Sequence, residues 1–358
     1  MKESYHPGYS SRKHGKKSKK KLWLIFFILL LSGAAYYAYN VLYASNIYVP
    51  QKQQAFIDIP SGSNYDSVKK ILYSKGFIIH RNNFELVADL KKYQNSIKPG
   101  HYKLNSKMSN LDLVNKLRSG AQDPVNVIFN NVRYATDLAG VISHQLEADS
   151  VSLVKLMNDT AFLDTLGVTP LSLFTIMIPN TYEFYWTTTP RAFFKRMKDE
   201  SEKFWADNRD SKLKDLVLNR HQVVTLASIV EKETNMNDEK ARVAGVYLNR
   251  LKQGWLLEAD PTLVYAHGNF EIKRVLNIYK EIDSPYNTYK YTGLPPGPIC
   301  LPSVASIDAV LNHENHKYMF FCAKEDFSGY HAFAENIQQH NINAWKYQQA
   351  LTRRNIMK

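Results

Sequence analysis

The hydropathy pattern opens on a run that differs from everything after it. Residues 22–43, LWLIFFILLLSGAAYYAYNVLY, contain no charged side chain. As a helix such a run is about 33 Å long, enough to cross a hydrocarbon layer. A cleaved secretory signal is the competing reading, but its apolar core is usually about 7–15 residues and ends in small residues. Here the run ends among Tyr36, Tyr37, Tyr39 and Tyr43, side chains suited to a membrane–water interface.

Past the span the pattern becomes that of a folded chain. Ala55–Ile59 alternates apolar and polar as a strand does, Pro60-Ser61-Gly62-Ser63 turns the chain, and Tyr65, Val68, Ile71 and Leu72 recur at helical spacing. A second helix is predicted over about 82–93. Lys98-Pro99-Gly100 then turns into a strand, and Leu111, Val114 and Leu117 mark a helix that stops at Gly120. A strand at 125–129 followed by a helix at 138–146 echoes this unit weakly. Helices are predicted at about 213–218, 221–234 and 238–253 in a larger α+β unit beginning near Leu213, with a strand near 317–323. Between them, residues 283–302, DSPYNTYKYTGLPPGPICLP, are too rich in Pro, Gly and Tyr for regular structure and read as a rigid loop. The fold class is α+β.

Charge changes this picture only at the N-terminus. The net charge is +13, but residues 1–21 hold eight Lys and Arg against Glu3, so the other residues carry only +6. Without a basic stripe interleaved with aromatics, nucleic acid is not an expected partner. The basic cluster directly before the span predicts a cytoplasmic N-terminus and an extracytoplasmic remainder. In a bacterium that compartment favours cell-wall chemistry over nucleotide cofactors. Cys300 and Cys322 lack metal-ligand spacing; one disulfide and two free thiols both remain open, with free thiols favoured. No metal or cofactor is expected, as phosphate-loop and zincin motifs are absent.

On the helix over 221–234, Val223, Leu226, Ala227 and Val230 form an apolar stripe, and Glu231 follows Ala227 by four residues and Ser228 by three. A carboxyl bordering apolar surface is expected to have a raised pKa, and small neighbours leave room for a sugar ring. Glu233 projects about 200° away and is expected to face solvent or a salt bridge. Glu258, Asp260, Asp283 and Glu335 could supply a second carboxylate for a hydrolytic mechanism. A lytic reaction needs only one, since the sugar's own 6-hydroxyl is the nucleophile. In the 283–302 loop, tyrosines can stack on sugar faces and Asn287 can hydrogen-bond hydroxyl or N-acetyl groups.

These residues also form an ordered set of motifs: LASIVEKET at 226–234, VYLNRL at 246–251, DPTLVY at 260–265, YNTY at 286–289, GLPPGPI at 293–299, and His331-x-Phe333 with His340-Asn341. With them the chain resembles the endolytic murein transglycosylases of the MltG (YceG-like) type, from the anchor to about residue 350. The resemblance implies that the first glutamate of the IVEKE segment, Glu231, is the catalytic acid and then base. It implies a LysM-like subdomain ahead of the catalytic unit. The implied reaction is non-hydrolytic cleavage between N-acetylmuramic acid and N-acetylglucosamine, leaving 1,6-anhydro ends and terminating new strands near peptidoglycan synthases. The expected layout is a basic tail at 1–21, a transmembrane helix at 22–43, a LysM-like part at 54–120 and a catalytic domain at 121–350. Asp260, Tyr286, Asn287, Tyr289 and His331 are expected to shape the substrate cleft. The family's F-P-D-T-Y stands here as Ile178-Pro179-Asn180-Thr181-Tyr182, its Q-T-D-P-T as Glu258-Ala259-Asp260-Pro261-Thr262, and a glycine expected near 132 is Val132. A non-catalytic peptidoglycan-binding scaffold and a hydrolase of the same bond are the rival expectations.

Overall fold

Strand alternation, caps and turn residues set the elements of the N-terminal part, which were resolved in a computed structural model. It describes residues 1, 4, 8, 17–50, 54–206, 208–272 and 275–354. The basic residues Lys2, Arg12, Lys13 and Lys16 of the expected tail lie outside them. The chain divides after Asp123 into two compact units.

The first unit begins with helix α1, Lys17–Leu42, of which residues 19–42 are long and apolar enough to cross a membrane. Strand β1 (Ala55–Ile59) precedes helices α2 (Tyr65–Ser74) and α3 (Arg81–Leu90), and β2 (Gly100–Leu104) returns antiparallel to β1. The order is therefore β–α–α–β, closed by α4 (Asn110–Ser119). Asn64 caps α2 by accepting the Ser67 amide, Ser109 and Asp112 form a reciprocal capping box on α4, and Gly120 ends α4 at φ +75°. Ile57, Ile59, Val68, Leu72, Phe84, Val87, Leu113 and Val114 are fully buried between strands and helices. The second predicted helix is shorter than expected: it stops at Leu90, because Lys92 turns the backbone left-handed at φ 52°.

The end of α1 is built into this core. Val41 is 2% exposed, and its carbonyl accepts from the buried Asn110 amide at 2.8 Å. Asn110 in turn accepts from Asn46 at 2.6 Å, and Asn46 exchanges hydrogen bonds with the His80 backbone.

In the second unit, β3 (Pro124–Ile128) pairs antiparallel with β4 (Thr181–Tyr185), Val127 opposite Tyr182. Around this ribbon pack α5 (Ala135–Ser143), α6 (Ser150–Met157), α7 (Thr160–Leu166) and α8 (Pro190–Ala206) in one apolar cluster. The unit starts at Pro124 and takes in residues 147–206, left unassigned by periodicity, which hold α6, α7, α8 and the partner of β3. A second cluster gathers α9 (Arg209–Leu216), α10 (Arg220–Glu233), α11 (Lys240–Lys252), α12 (Asp260–His267) and α13 (Val304–Leu311). The antiparallel pair β5 (Phe320–Ala323) and β6 (His331–Ala334) and helix α14 (Ile337–Arg353) complete it.

Candidate active site

Helix α10 is the axis of the site. An Asn219–Gln222 capping box starts it, and eight successive residues, Val223 to Val230, are buried, so neighbours surround it on nearly every side. Side chains reach space at its first turn and again at its last, where Glu231, Lys232 and Glu233 are each partly exposed.

Glu231 is partly exposed, its side chain at 24%, and one of its oxygens is heavily hydrogen-bonded. Its Oε2 accepts from Lys240 Nζ at 3.0 Å, Ser303 Oγ at 2.6 Å, the Ser303 amide at 3.3 Å and the Ser306 hydroxyl. Ser303 is the N-cap of α13, so Glu231 clamps the start of that helix to α10. Burial pushes the carboxyl up, but hydrogen bonds from Ser303, Ser306 and Lys240 outweigh it and hold Glu231 below the usual carboxylate range. The expected elevation is corrected: one oxygen receives four donors. The expected room for a sugar is also absent, because Ala227 and Ser228 are fully buried and the Ile299 amide donates to Ser228 Oγ at 2.9 Å. The small side chains admit the loop.

Glu233 has the other environment. Burial pushes its carboxyl up to about 7, and nearby Asp260 pushes the same way; the Tyr247 hydroxyl donates to its Oε1, which with Arg250 opposes the rise. It faces a cavity of about 270 Å³ lined also by Arg133, Lys232, Asp260, Tyr265 and Phe270, where sequence spacing led one to expect solvent or a salt bridge. A second cavity of about 180 Å³, with Tyr247, Arg250, Glu258, Tyr289 and Phe321, shares Glu233 and Asp260 with the first. A third of about 320 Å³, with Tyr134, Leu171, Tyr286 and Pro298, shares Arg133 and Tyr265 with the first. The shared residues put the Glu233–Asp260 pair at the border of the second cavity with the first, and Arg133 and Tyr265 at the border of the first with the third.

Asp260 opens α12 and accepts the Tyr289 hydroxyl at 2.5 Å, so these two residues border the second cavity together. Tyr286 lines the third, its ring 4.7 Å from that of Tyr265. Asn287 is 0% exposed: its amide donates to the Lys280 and Ile282 carbonyls, and its oxygen accepts from the Tyr289 amide. It knots the loop and has no surface for a sugar, which corrects its expected role. His331 is likewise committed: its Nδ1 lies 2.7 Å from Glu239 and its amide donates to the same carboxylate. Its ring lies 5.3 Å from that of Phe321, which lines the 180 Å³ cavity.

Close approach explains two sequence features. A Cβ on Gly297 would stand 2.4 Å from the Leu171 carbonyl oxygen, so the GLPPGPI loop must carry glycine there. At the Val132 departure, the left-handed residue is its neighbour Asn131 at φ 49°, which also accepts from Lys232 at 2.8 Å. Cys300 and Cys322 are free, the Cys300 thiol pushed up to about 12 by burial. Among the described residues no three His, Cys, Asp or Glu cluster as a metal site. Sequence reasoning placed Glu233 at the surface and did not single out Arg133 or Tyr265, which line the same cavity, and nothing in the linear spacing joins position 133 to positions 233 and 260.

Residues 57–346 match the YceG-like family. An endolytic murein transglycosylase from Bacillus subtilis is 29% identical over 336 residues, covering 89% of this chain and 91% of that protein. One from Streptococcus pneumoniae is 28% identical over 352 residues, covering 89% of this chain and 63% of that protein. A crystal structure of a YceG-like protein from Listeria monocytogenes superposes with a TM-score of 0.55 at 26% identity, over 82% of this chain and 99% of the other.

Proposed function

Because the chain belongs to the YceG-like family, we propose that it is an endolytic murein transglycosylase whose general acid is Glu233, with Glu231 holding the fold of the site. The observation that carries the acid assignment is the contrast between two carboxyls on one helix turn. Glu231 accepts four donors on Oε2 and is held below the usual carboxylate range, whereas Glu233 lines the cavity with its carboxyl pushed up to about 7. A group that must give a proton to a leaving oxygen near neutrality needs the second environment.

In this mechanism a glycan strand lies along the three cavities with its scissile bond over Glu233. The protonated carboxyl delivers its proton to the glycosidic oxygen as the C1–O bond breaks, and the N-acetylglucosamine hydroxyl departs. The resulting carboxylate takes the proton of the muramyl 6-hydroxyl as its oxygen bonds to C1, leaving a 1,6-anhydro end with no water consumed. Tyr247 steadies the carboxylate half of the cycle through its hydrogen bond. Asp260, held by Tyr289, adds negative potential where positive charge develops on the sugar. Cavities on both sides of the acid suit cleavage within a strand. In the hydrolytic alternative Asp260 activates water, a reading favoured only by its position in the same wall.

The N-terminal helix fits a membrane anchor for a cell-wall enzyme. With the basic residues before it, the N-terminus lies in the cytoplasm and the enzyme at the outer face, where it terminates strands as synthases extend them. The β–α–α–β unit serves as the LysM-like glycan-binding part and residues 121–350 as the catalytic domain.

Mass spectrometry of glycan strands incubated with the full chain in detergent, beside Glu233→Gln and Glu231→Gln, tests this. Anhydro-ended products from the wild type and none from a folded Glu233→Gln are expected. Reducing ends would establish the hydrolase, and an active Glu233→Gln with an inactive, folded Glu231→Gln would return the acid to Glu231.

A further inference from the structure

Arg133 is a charged group of the cleft that the proposed reaction leaves unused. Six other arginines of this unit, Arg191, Arg196, Arg209, Arg220, Arg242 and Arg250, each pair with a carboxylate. Arg133 has neither an ion pair nor a hydrogen bond among the described residues; its guanidinium lies 4.0 Å over the Phe270 ring. It borders both the 270 Å³ cavity that holds Glu233 and the 320 Å³ cavity beside it. Arg250, and not Arg133, is the cation that acts on Glu233. Phe270 braces the planar cation from one face, which leaves the in-plane N–H groups free for a planar anion. Lys232 stands in the same wall and adds positive potential.

We infer that Arg133 is a carboxylate-binding subsite that reads the acidic arm of a muramyl residue. The inference rests on the proposed reading of the cleft as a glycan groove. In a peptidoglycan strand the glucosamine units are uncharged, and each muramyl unit carries a lactyl arm that ends in a carboxylate or in a peptide bearing carboxylates. A guanidinium fork matches either source with two parallel hydrogen bonds. Because Arg133 shares a cavity with Glu233, docking this arm sets the strand polarity: the muramyl unit that loses its bond occupies the 270 Å³ cavity, and the departing glucosamine occupies the 180 Å³ one.

The test uses full-chain wild type, Arg133→Gln and Arg133→Lys on strands with peptide stems and on strands whose peptides have been removed to free the lactyl carboxylate. Each strand type is assayed with its carboxylates free and capped as methyl amides. Arg133→Gln is expected to raise KM about tenfold with kcat within about twofold, and Arg133→Lys to fall between. Capping should raise the wild-type KM to the Arg133→Gln level and leave that variant unmoved, and the strand type on which this happens names the source of the carboxylate. Equal responses of wild type and Arg133→Gln to capping on both strand types would overturn the inference. The same comparison of strand binding in a Glu233→Gln background separates it from the proposed activity: if the wild type cleaves nothing, the activity fails, while the effect of capping on binding still decides the role of Arg133.

Discussion

The Tyr247 hydroxyl, carried on α11, donates its proton to Glu233 at the last turn of α10. Both groups are buried deep enough that each is pushed toward its neutral form, the tyrosine well above its ordinary range and the carboxyl to about 7. The bond favours the ionised carboxylate, so it restrains a rise that burial would otherwise take further.

The pH profile of cleavage should therefore lose its alkaline side near pH 7, as the proton leaves Glu233. The sign for stability is the same. The folded chain holds this proton above the ordinary carboxyl range, so the associated stability is complete at about pH 4 and is lost as pH rises through about 7. Thermal unfolding of wild type against Glu233→Gln across pH 5 to 8 checks it: the difference between the two should widen in favour of Gln as pH rises.

Tyr247→Phe removes the restraint on Glu233. The alkaline limb should move upward, and kcat should fall about tenfold as the carboxylate formed after bond cleavage loses its donor, a change on the order of 1.4 kcal/mol. A rate profile whose limb stays in place would assign Tyr247 to packing alone.

Glu231→Gln is expected to act on stability. It leaves Lys240, 4% exposed, without its carboxylate and weakens the clamp on the start of α13. A loss of about 3 kcal/mol by denaturant titration at pH 7 is expected. Since this carboxyl is held below its usual range, its contribution is present at neutral pH and disappears as the solution is acidified through the folded-state pKa.

Asn287→Ala should loosen the loop without removing a ligand contact. Two carbonyls, of Lys280 and Ile282, lose their donor, and Tyr289 loses the acceptor that fixes its amide. A cost of about 2 kcal/mol is expected in unfolding, with a raised KM because Tyr289 no longer holds Asp260 in register. Faster protease nicking within 280–291 reads the same change.

At the membrane end, Asn110→Ala breaks the bond to the Val41 carbonyl and the pair with Asn46. Hydrogen exchange should show residues 41–47 opening, because two buried polar partners are left unsatisfied at about 1–3 kcal/mol each.

The sequence by itself determined whatever depends on neighbours along the chain. The apolar run before Tyr43, the β1 alternation, the stop of α4 at Gly120 and the stripe of α10 are local patterns, and each appears in the structure at or within a few residues of its predicted place. The helices and strand between 147 and 206 were not legible, because β4 is a strand through its pairing with β3, more than fifty residues earlier. Family motifs likewise marked the helix turn that carries both carboxyls but not the environment each of them meets. Helical spacing puts Glu231 and Glu233 on different faces without saying what either face meets. Only the tertiary structure brought Ser303, Ser306 and Lys240 onto one carboxyl, and Tyr247, Asp260 and Arg133 around the cavity of the other. A carboxyl's proton affinity is set by the solvent it loses and the donors it gains, and both are properties of residues brought together by folding rather than by sequence.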